Sequence, residues 1–99
     1  MSTIVIVFLD IFDRVEYETY MKAAGPIFIR EGVKLLVNDE NPKPMSDGME
    51  MDKVVVLEFR DDDHMKQFFR LPDYLQAGVH RDKGAHMRLV RTTRFEMPT

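Results

Sequence analysis

The chain has 99 residues, of which 44% are hydrophobic and 31% are charged, and its formal net charge is −3. This length and composition predict one globular domain with a single core. The acidic balance disfavours nonspecific binding to nucleic acids or to anionic membranes. The sequence contains no cysteine, which excludes disulfides, thiolate metal sites and cysteine nucleophiles and suits a cytoplasmic protein.

The N-terminal part of the chain predicts a strand followed by a helix. The strand covers residues 3–9, and its apolar run is too short for a membrane span or the core of a signal peptide. Asp13 fits the N-cap of the helix, with Glu16 as its capping-box partner. Proline inside a helix removes a hydrogen bond, so Gly25-Pro26 predicts an interruption or a kink. One face of this helix carries Tyr17, Tyr20, Met21, Ala24 and Phe28.

Three further strands and a second helix follow. Gly32 fits the end of the first helix, and strand two is expected at residues 33–38, before a loop rich in turn-forming residues. Strand three covers residues 53–59. Asp61 to Asp63 open the second helix, which Leu71-Pro72 breaks, so that Pro72 begins a short continuation. The last predicted strand covers residues 85–95.

This order, β-α-β-β-α-β, predicts an α+β fold of the ferredoxin-like type, an antiparallel sheet with two helices on one face. The strands at residues 3–9 and 53–59 are apolar on both of their alternating faces. Both faces of the sheet must therefore be covered, and two helices can cover only one. A second copy of the chain is the simplest cover for the other face. The sequence thus predicts a homodimer through the open sheet face, with a barrel-like interior.

Several segments resemble the DUF1330 family of the dimeric α/β-barrel superfamily over nearly the whole chain. They are Val54-Val55-Val56-Leu57-Glu58-Phe59, Phe68-Phe69, Leu71-Pro72-Asp73-Tyr74-Leu75-Gln76-Ala77, Arg81, Tyr17-Glu18-Thr19-Tyr20 and Gly32. The chain departs from the family at Leu71, where the family usually has serine, and at Glu31, where it has glycine. The superfamily includes cofactor-free monooxygenases, lactone isomerases and haem-binding or haem-degrading enzymes, so the resemblance implies a range of activities.

Three residues are candidates for catalysis. If Phe59 packs beneath the helices, Glu58 points to the other face of the sheet, where partial burial would raise its pKa and suit it to acid or base catalysis. A pair with a base such as Lys34, or simple exposure, is the alternative interpretation. Tyr74 and Arg81 share a helical face and could together bind an anionic group, as the family resemblance favours. Otherwise they are a core aromatic residue and a solvated cation.

Tyr17, Tyr20 and His80 are candidates for ligand binding. Either tyrosine of the first helix could place a hydroxyl group at the mouth of a pocket, or Tyr20 could belong to the core with Tyr17 beside it. His80 lies near the turn before the last strand and could carry a proton. The three histidines, His64, His80 and His86, show no metal-binding spacing, and we predict neither a metal nor a cofactor.

These observations favour a cytoplasmic homodimer that binds a small organic molecule, anionic or neutral, and acts as a cofactor-free isomerase or monooxygenase. We expect neither nucleic-acid nor membrane partners. One alternative is a haem-associated protein of the same fold, with one of the histidines as axial ligand. Another is a non-catalytic binding or assembly module with a filled interior and an ion-paired Glu58.

Overall fold

The computed structural model describes residues 1–98 and contains four strands and three helices in that range. In chain order the elements are β1 (Thr3–Ile11), α1 (Arg14–Arg30), β2 (Lys34–Asp39), β3 (Lys53–Phe59), α2 (Asp62–Phe68), α3 (Pro72–Gly84) and β4 (Ala85–Thr93). The strands form one antiparallel sheet in the order β2-β3-β1-β4. The predicted α+β architecture is therefore confirmed, with the second helix divided at Pro72 as expected.

The two faces of the sheet differ in what covers them. Val5, Val7 and Leu9 of β1 point towards the helices and are each at most 5% exposed. The intervening residues, Ile4 and Ile6 among them, are only partly buried, because no helix or strand within residues 1–98 packs on their side. Apolar side chains on both faces and helices on one face are what the strand pattern predicted.

The predicted interruption of the first helix does not occur. α1 runs from Arg14 to Arg30 with Pro26 inside it. Gly25 has no Cβ to clash with the ring of the following proline, which lowers the cost of a helical residue at that position. Tyr20, Ala24 and Ile27 are buried along the helix, and this packing offsets the missing backbone hydrogen bond.

A close approach between Gly84 and the beginning of α1 sets the position of the two long helices. The carbonyl oxygen of Gly84 accepts hydrogen bonds from the backbone N–H groups of Phe12, at 2.9 Å, and of Asp13, at 3.1 Å. A Cβ atom on Gly84 would lie 2.7 Å from both the Asp13 carbonyl oxygen and the Tyr17 nitrogen. Since backbone atoms cannot move aside as a flexible side chain can, this contact requires glycine.

The remaining boundaries lie close to their predicted positions. β3 covers the predicted residues, β2 begins and ends one residue later than expected, and β4 ends at Thr93 rather than at residue 95. Gly32 follows α1 with a φ of 69°, the left-handed conformation expected of a glycine at a helix end. No helix within residues 1–98 is long and apolar enough to cross a membrane.

We predict that Gly84→Ala lowers the free energy of unfolding by about 2 kcal/mol or more, because the added methyl group overlaps backbone atoms of α1. Urea denaturation followed by circular dichroism would measure the change. Lys83→Ala, at an exposed position one residue earlier in α3, is the control. Equal stability of the two variants would show that the contact at Gly84 does not constrain the helices.

Candidate functional site

A cavity of about 200 Å³ lies between the helices and the helix-facing side of the sheet. All four strands and both long helices contribute to its wall, which is mainly apolar. The apolar and aromatic side chains that line it include Val7, Leu9, Met21, Ala24, Phe28, Leu35, Val55, Leu57, Phe69, Met87 and Leu89. This volume suits a molecule with one small ring or a short aliphatic chain.

Three polar side chains of the cavity wall contact one another. The hydroxyl oxygens of Tyr20 on α1 and Tyr74 on α3 lie 2.9 Å apart, and Nη1 of Arg81 donates to the Tyr74 hydroxyl at 2.9 Å. The Arg81 guanidinium also lies over both rings, 5.4 Å from the Tyr20 centroid and 5.8 Å from that of Tyr74. The side chain of Arg81 is only 14% exposed. Tyr74 and Arg81 therefore meet as predicted, and Tyr20 joins them.

The hydroxyl pair leaves one proton without an acceptor in this network. Tyr20 and Tyr74 carry one hydroxyl proton each, and the hydrogen bond between them uses one of the two. Whichever tyrosine donates, the other O–H remains free to point elsewhere. The cavity thus offers a phenolic donor and a guanidinium beside it, both suited to an oxygen atom of a ligand.

Burial disfavours the charged form of Tyr17 and Tyr20. Burial, reinforced by the nearby Tyr74 hydroxyl, raises the pKa of Tyr20 far above its usual value. Burial likewise raises the pKa of Tyr17 to about 12, and the Glu40 carboxylate contributes. Burial opposes the charge of Arg81, but the oxygens of Tyr74 and Tyr20 and the Asp82 carboxylate outweigh it and raise the pKa of Arg81. The tyrosines act as hydrogen-bond donors here rather than as bases.

Lys53 is a further polar side chain in the cavity wall, and it was not among the residues predicted from the sequence. Its side chain is 2% exposed, and its Nζ donates to Oε1 of Glu40 at 2.9 Å. Nζ also lies 3.3 Å from the sulfur of Met21 and 4.9 Å from the Tyr17 ring centroid. Strand alternation places Lys53 on the same side as Phe59, so the signal was present in the sequence.

Glu58 lies on the other face of the sheet and does not meet Tyr74 and Arg81 within the chain. It pairs in register with Ile4 and Lys34, and its carboxylate accepts hydrogen bonds from Ser2, at 2.7 Å, and Arg94, at 2.9 Å. These hydrogen bonds lower the pKa of Glu58, and the charges of Arg94 and Lys34 add to the effect. The expected rise in this pKa is therefore wrong, because partners that favour the charged form outweigh burial.

The candidate ligand-binding residues are divided between the cavity and the surface. Tyr17 and Tyr20 both line the cavity and are 2% and 8% exposed, so neither hydroxyl lies at a solvent-exposed mouth. His80 lies outside it, with its Nδ1 2.7 Å from Oε2 of Glu16 between α3 and α1. The structure thus brings the tyrosines, and not the histidine, to Arg81.

The histidines offer little to a haem iron. Both ring nitrogens of the buried His64 have backbone partners, the N–H of Arg60 at 3.0 Å and the carbonyl oxygen of Glu31 at 2.7 Å. His80 bonds Glu16, and the exposed His86 ring lies 5.1 Å from the Phe12 ring. Among residues 1–98 no group of three or more histidines and acidic residues is arranged to hold a metal ion.

Sequence comparison identifies one matching family. The model of a family described as "Domain of unknown function (DUF1330)" matches residues 2–93. No curated protein has a significantly similar sequence.

Similar solved structures share the fold at low sequence identity. A protein of unknown function from Rhodopseudomonas palustris has a TM-score of 0.83 and 19% identity, with 97% of this chain and 84% of that chain covered. SnoaB, a cofactor-independent oxygenase from Streptomyces nogalater, has a TM-score of 0.73 and 11% identity, with 97% and 95% covered. A dimeric ferredoxin-like protein of unknown function from Jannaschia sp. CCS1 has a TM-score of 0.73 and 12% identity, with 95% and 100% covered. These similarities establish a ferredoxin-like fold.

We predict that the folded protein loses stability as the pH rises from about 10 to about 12, since Tyr17 has a pKa near 12 in the native state and near 10 when unfolded. The native state then holds the proton that the unfolded state releases, so alkaline pH favours unfolding. NMR of the tyrosine Cζ carbons would follow each ring, with the protein in urea as the control. Ionisation of Tyr17 near pH 10 in the folded protein would contradict this.

Proposed function

This chain belongs to the DUF1330 family, and from that premise and the cavity geometry we propose that it binds a small, mainly apolar organic molecule carrying one oxygen function. The observation that carries the proposal is the Arg81–Tyr74–Tyr20 network, a largely buried cation and two phenols in the wall of a mainly apolar cavity. The apolar wall would hold the body of the ligand. A carbonyl, hydroxyl or carboxylate oxygen would take hydrogen bonds from Arg81 and from the free phenolic proton.

The same network supports a catalytic role of a definite kind. A cation and a neutral phenol that face one oxygen stabilise negative charge developing on it, as occurs when a carbonyl compound enolises or when a phenol ionises. Isomerisation and cofactor-free oxidation of a substrate anion both pass through such a species. Tyr74 and Arg81 would therefore act on the substrate, whereas Glu58 would act only on a ligand at the opposite sheet face.

The open sheet face supports the proposal that the protein is a homodimer. Ile6 lies at the centre of this face, between Val56 of β3 and Val90 of β4. No helix in the described part of the chain covers these apolar side chains, and burying them against a second copy would remove them from water. Glu58, with Arg94 and Lys34, would lie at the rim of the dimer interface. Cytoplasmic location and the absence of nucleic-acid and membrane partners stay predictions from composition.

The alternative function, a non-catalytic assembly module with a filled interior, has one structural feature in its favour and one against it. Glu58 is paired with Arg94, as that alternative predicted. Side chains do not fill the space between the helices and the sheet, however. A protein that only assembles would also have no use for the Arg81–Tyr74–Tyr20 network in the wall of this cavity. Ligand binding is therefore the function to test first.

We predict that phenylacetamide, an aromatic probe with a polar end, binds the wild-type protein and that Arg81→Met weakens its binding about tenfold, because the charged donor is lost. Ethylbenzene, which has no polar atom, should bind both proteins within a factor of about two. Titrations followed by NMR would give the affinities. Lys83→Met, an exposed position on the same helix, is the control. If neither probe binds, or if Arg81→Met weakens both equally, the proposed site is wrong.

We predict that Ile6→Glu converts a dimer to a monomer, because two carboxylates would be buried without partners, and raises the dissociation constant at least about 100-fold. Native mass spectrometry at micromolar concentration would measure the change. Val79→Glu, on the exposed side of α3, is the control and should remain dimeric. A monomeric wild-type protein would contradict the dimer proposal and leave the cavity proposal unaffected.

A further inference from the structure

We propose that Lys53 binds an anionic group of the ligand and that Glu40 occupies this position when no ligand is present. The inference rests on the proposed function, since it uses the same cavity, and it narrows the ligand to a small carboxylate with an apolar body. Three observations carry it: the burial of Lys53, the exposure of Glu40, and the second partner that Glu40 has outside the cavity.

The first observation is the position of the Lys53 ammonium group. It belongs to the cavity wall, its side chain is 2% exposed, and its nearest polar partner is Glu40. A buried ammonium needs a negative partner, because removing its hydration is costly. Met21 sulfur and the Tyr17 ring are weak partners in comparison. An anion at this position is therefore required, and either the chain or a ligand can supply it.

The second observation is that Glu40 is poorly fixed compared with Lys53. Its side chain is 44% exposed, and it is the first residue after β2, in the irregular segment of residues 40–52. Because this carboxylate is in contact with water, hydration offsets part of the attraction that is lost when it leaves the ammonium. Lys53, by contrast, lies in a strand within the sheet, and its side chain has no comparable route to solvent.

The third observation is that Glu40 would not be left without a partner. Its other oxygen, Oε2, accepts a hydrogen bond from Nη1 of Arg14 at 3.1 Å, and the Arg14 side chain is half exposed. A ligand carboxylate could thus take the place of Glu40 at Lys53 while Glu40 keeps Arg14. The exchange conserves the number of ion pairs, so its free energy depends on the contacts of the apolar part of the ligand with the cavity wall.

The geometry also separates anionic ligands from neutral ones. A neutral molecule gains nothing by displacing Glu40 and would bind through Arg81 and the tyrosines alone. An anion that binds Lys53 must compete with Glu40 for it, so the carboxylate of the chain weakens the binding of such anions. Removing that charge should strengthen the binding of anions and leave that of neutral molecules unchanged.

The test uses phenylacetate and its neutral analogue phenylacetamide on the wild-type protein and on Glu40→Gln. We expect Glu40→Gln to bind phenylacetate about tenfold more tightly, as for the loss of one competing charged hydrogen bond, with phenylacetamide unchanged within a factor of about two. Glu50→Gln, an exposed glutamate in the same segment, is the control and should behave as wild type. Lys53→Met in the Glu40→Gln background should abolish the gain.

A second measurement does not require separate affinities. Glu40→Gln leaves Lys53 without a charged partner, so the melting temperature of this variant should be lower than that of the wild-type protein. Added phenylacetate should raise the melting temperature of the variant more steeply than that of the wild type. If phenylacetamide binds but Glu40→Gln does not strengthen the binding of phenylacetate, Lys53 and Glu40 form a purely structural pair and the inference is wrong. If neither probe binds to any variant, the proposed function fails as well.

Discussion

The cavity depends on the contact between the end of α3 and the beginning of α1. Gly84 lets the backbones of the two helices approach so closely that its carbonyl oxygen accepts hydrogen bonds from the N–H groups of Phe12 and Asp13, immediately before α1. From that fixed point the helices run side by side, and this brings Tyr20 on one helix to Tyr74 and Arg81 on the other. If the two helices were farther apart at Gly84, the hydrogen bond between the Tyr20 hydroxyl on α1 and the Tyr74 hydroxyl on α3 would break.

The sheet divides the polar chemistry of the molecule between its two faces. The helix-facing side holds Lys53 in a nearly dry environment, and the open side holds Glu58 among basic partners near the edge of an apolar surface. Adjacent residues of β3 can therefore serve different purposes, because alternation sends them to opposite sides. In the proposed dimer the open side would serve assembly, and the helix-facing side would serve ligand binding.

The order of the elements predicted the fold, and strand alternation, which depends only on local geometry, predicted apolar side chains on both faces of the sheet. The same alternation put Lys53 beneath the helices, but a lysine is usually solvated, and nothing in the sequence indicated that Glu40 would come to it across the loop. The spacing of Tyr74 and Arg81 predicted their contact, whereas Tyr20 required the packing of α1 on α3. The interruption predicted at Pro26 was wrong because the packing of α1 offsets the backbone hydrogen bond that proline removes, and this packing cannot be read from the local sequence.

The hydrogen bond between Tyr20 and Tyr74 has a consequence for the evolution of the family. Each hydroxyl is buried and takes the other as its partner, so the loss of one leaves the other with reduced hydrogen bonding in a nearly dry site. We therefore expect substitutions at these two positions to be coupled, so that relatives without one tyrosine also lack the second tyrosine and the arginine. The presence of Tyr20, Tyr74 and Arg81 together is a criterion that would separate relatives with this polar network from relatives whose cavity is lined only by apolar side chains.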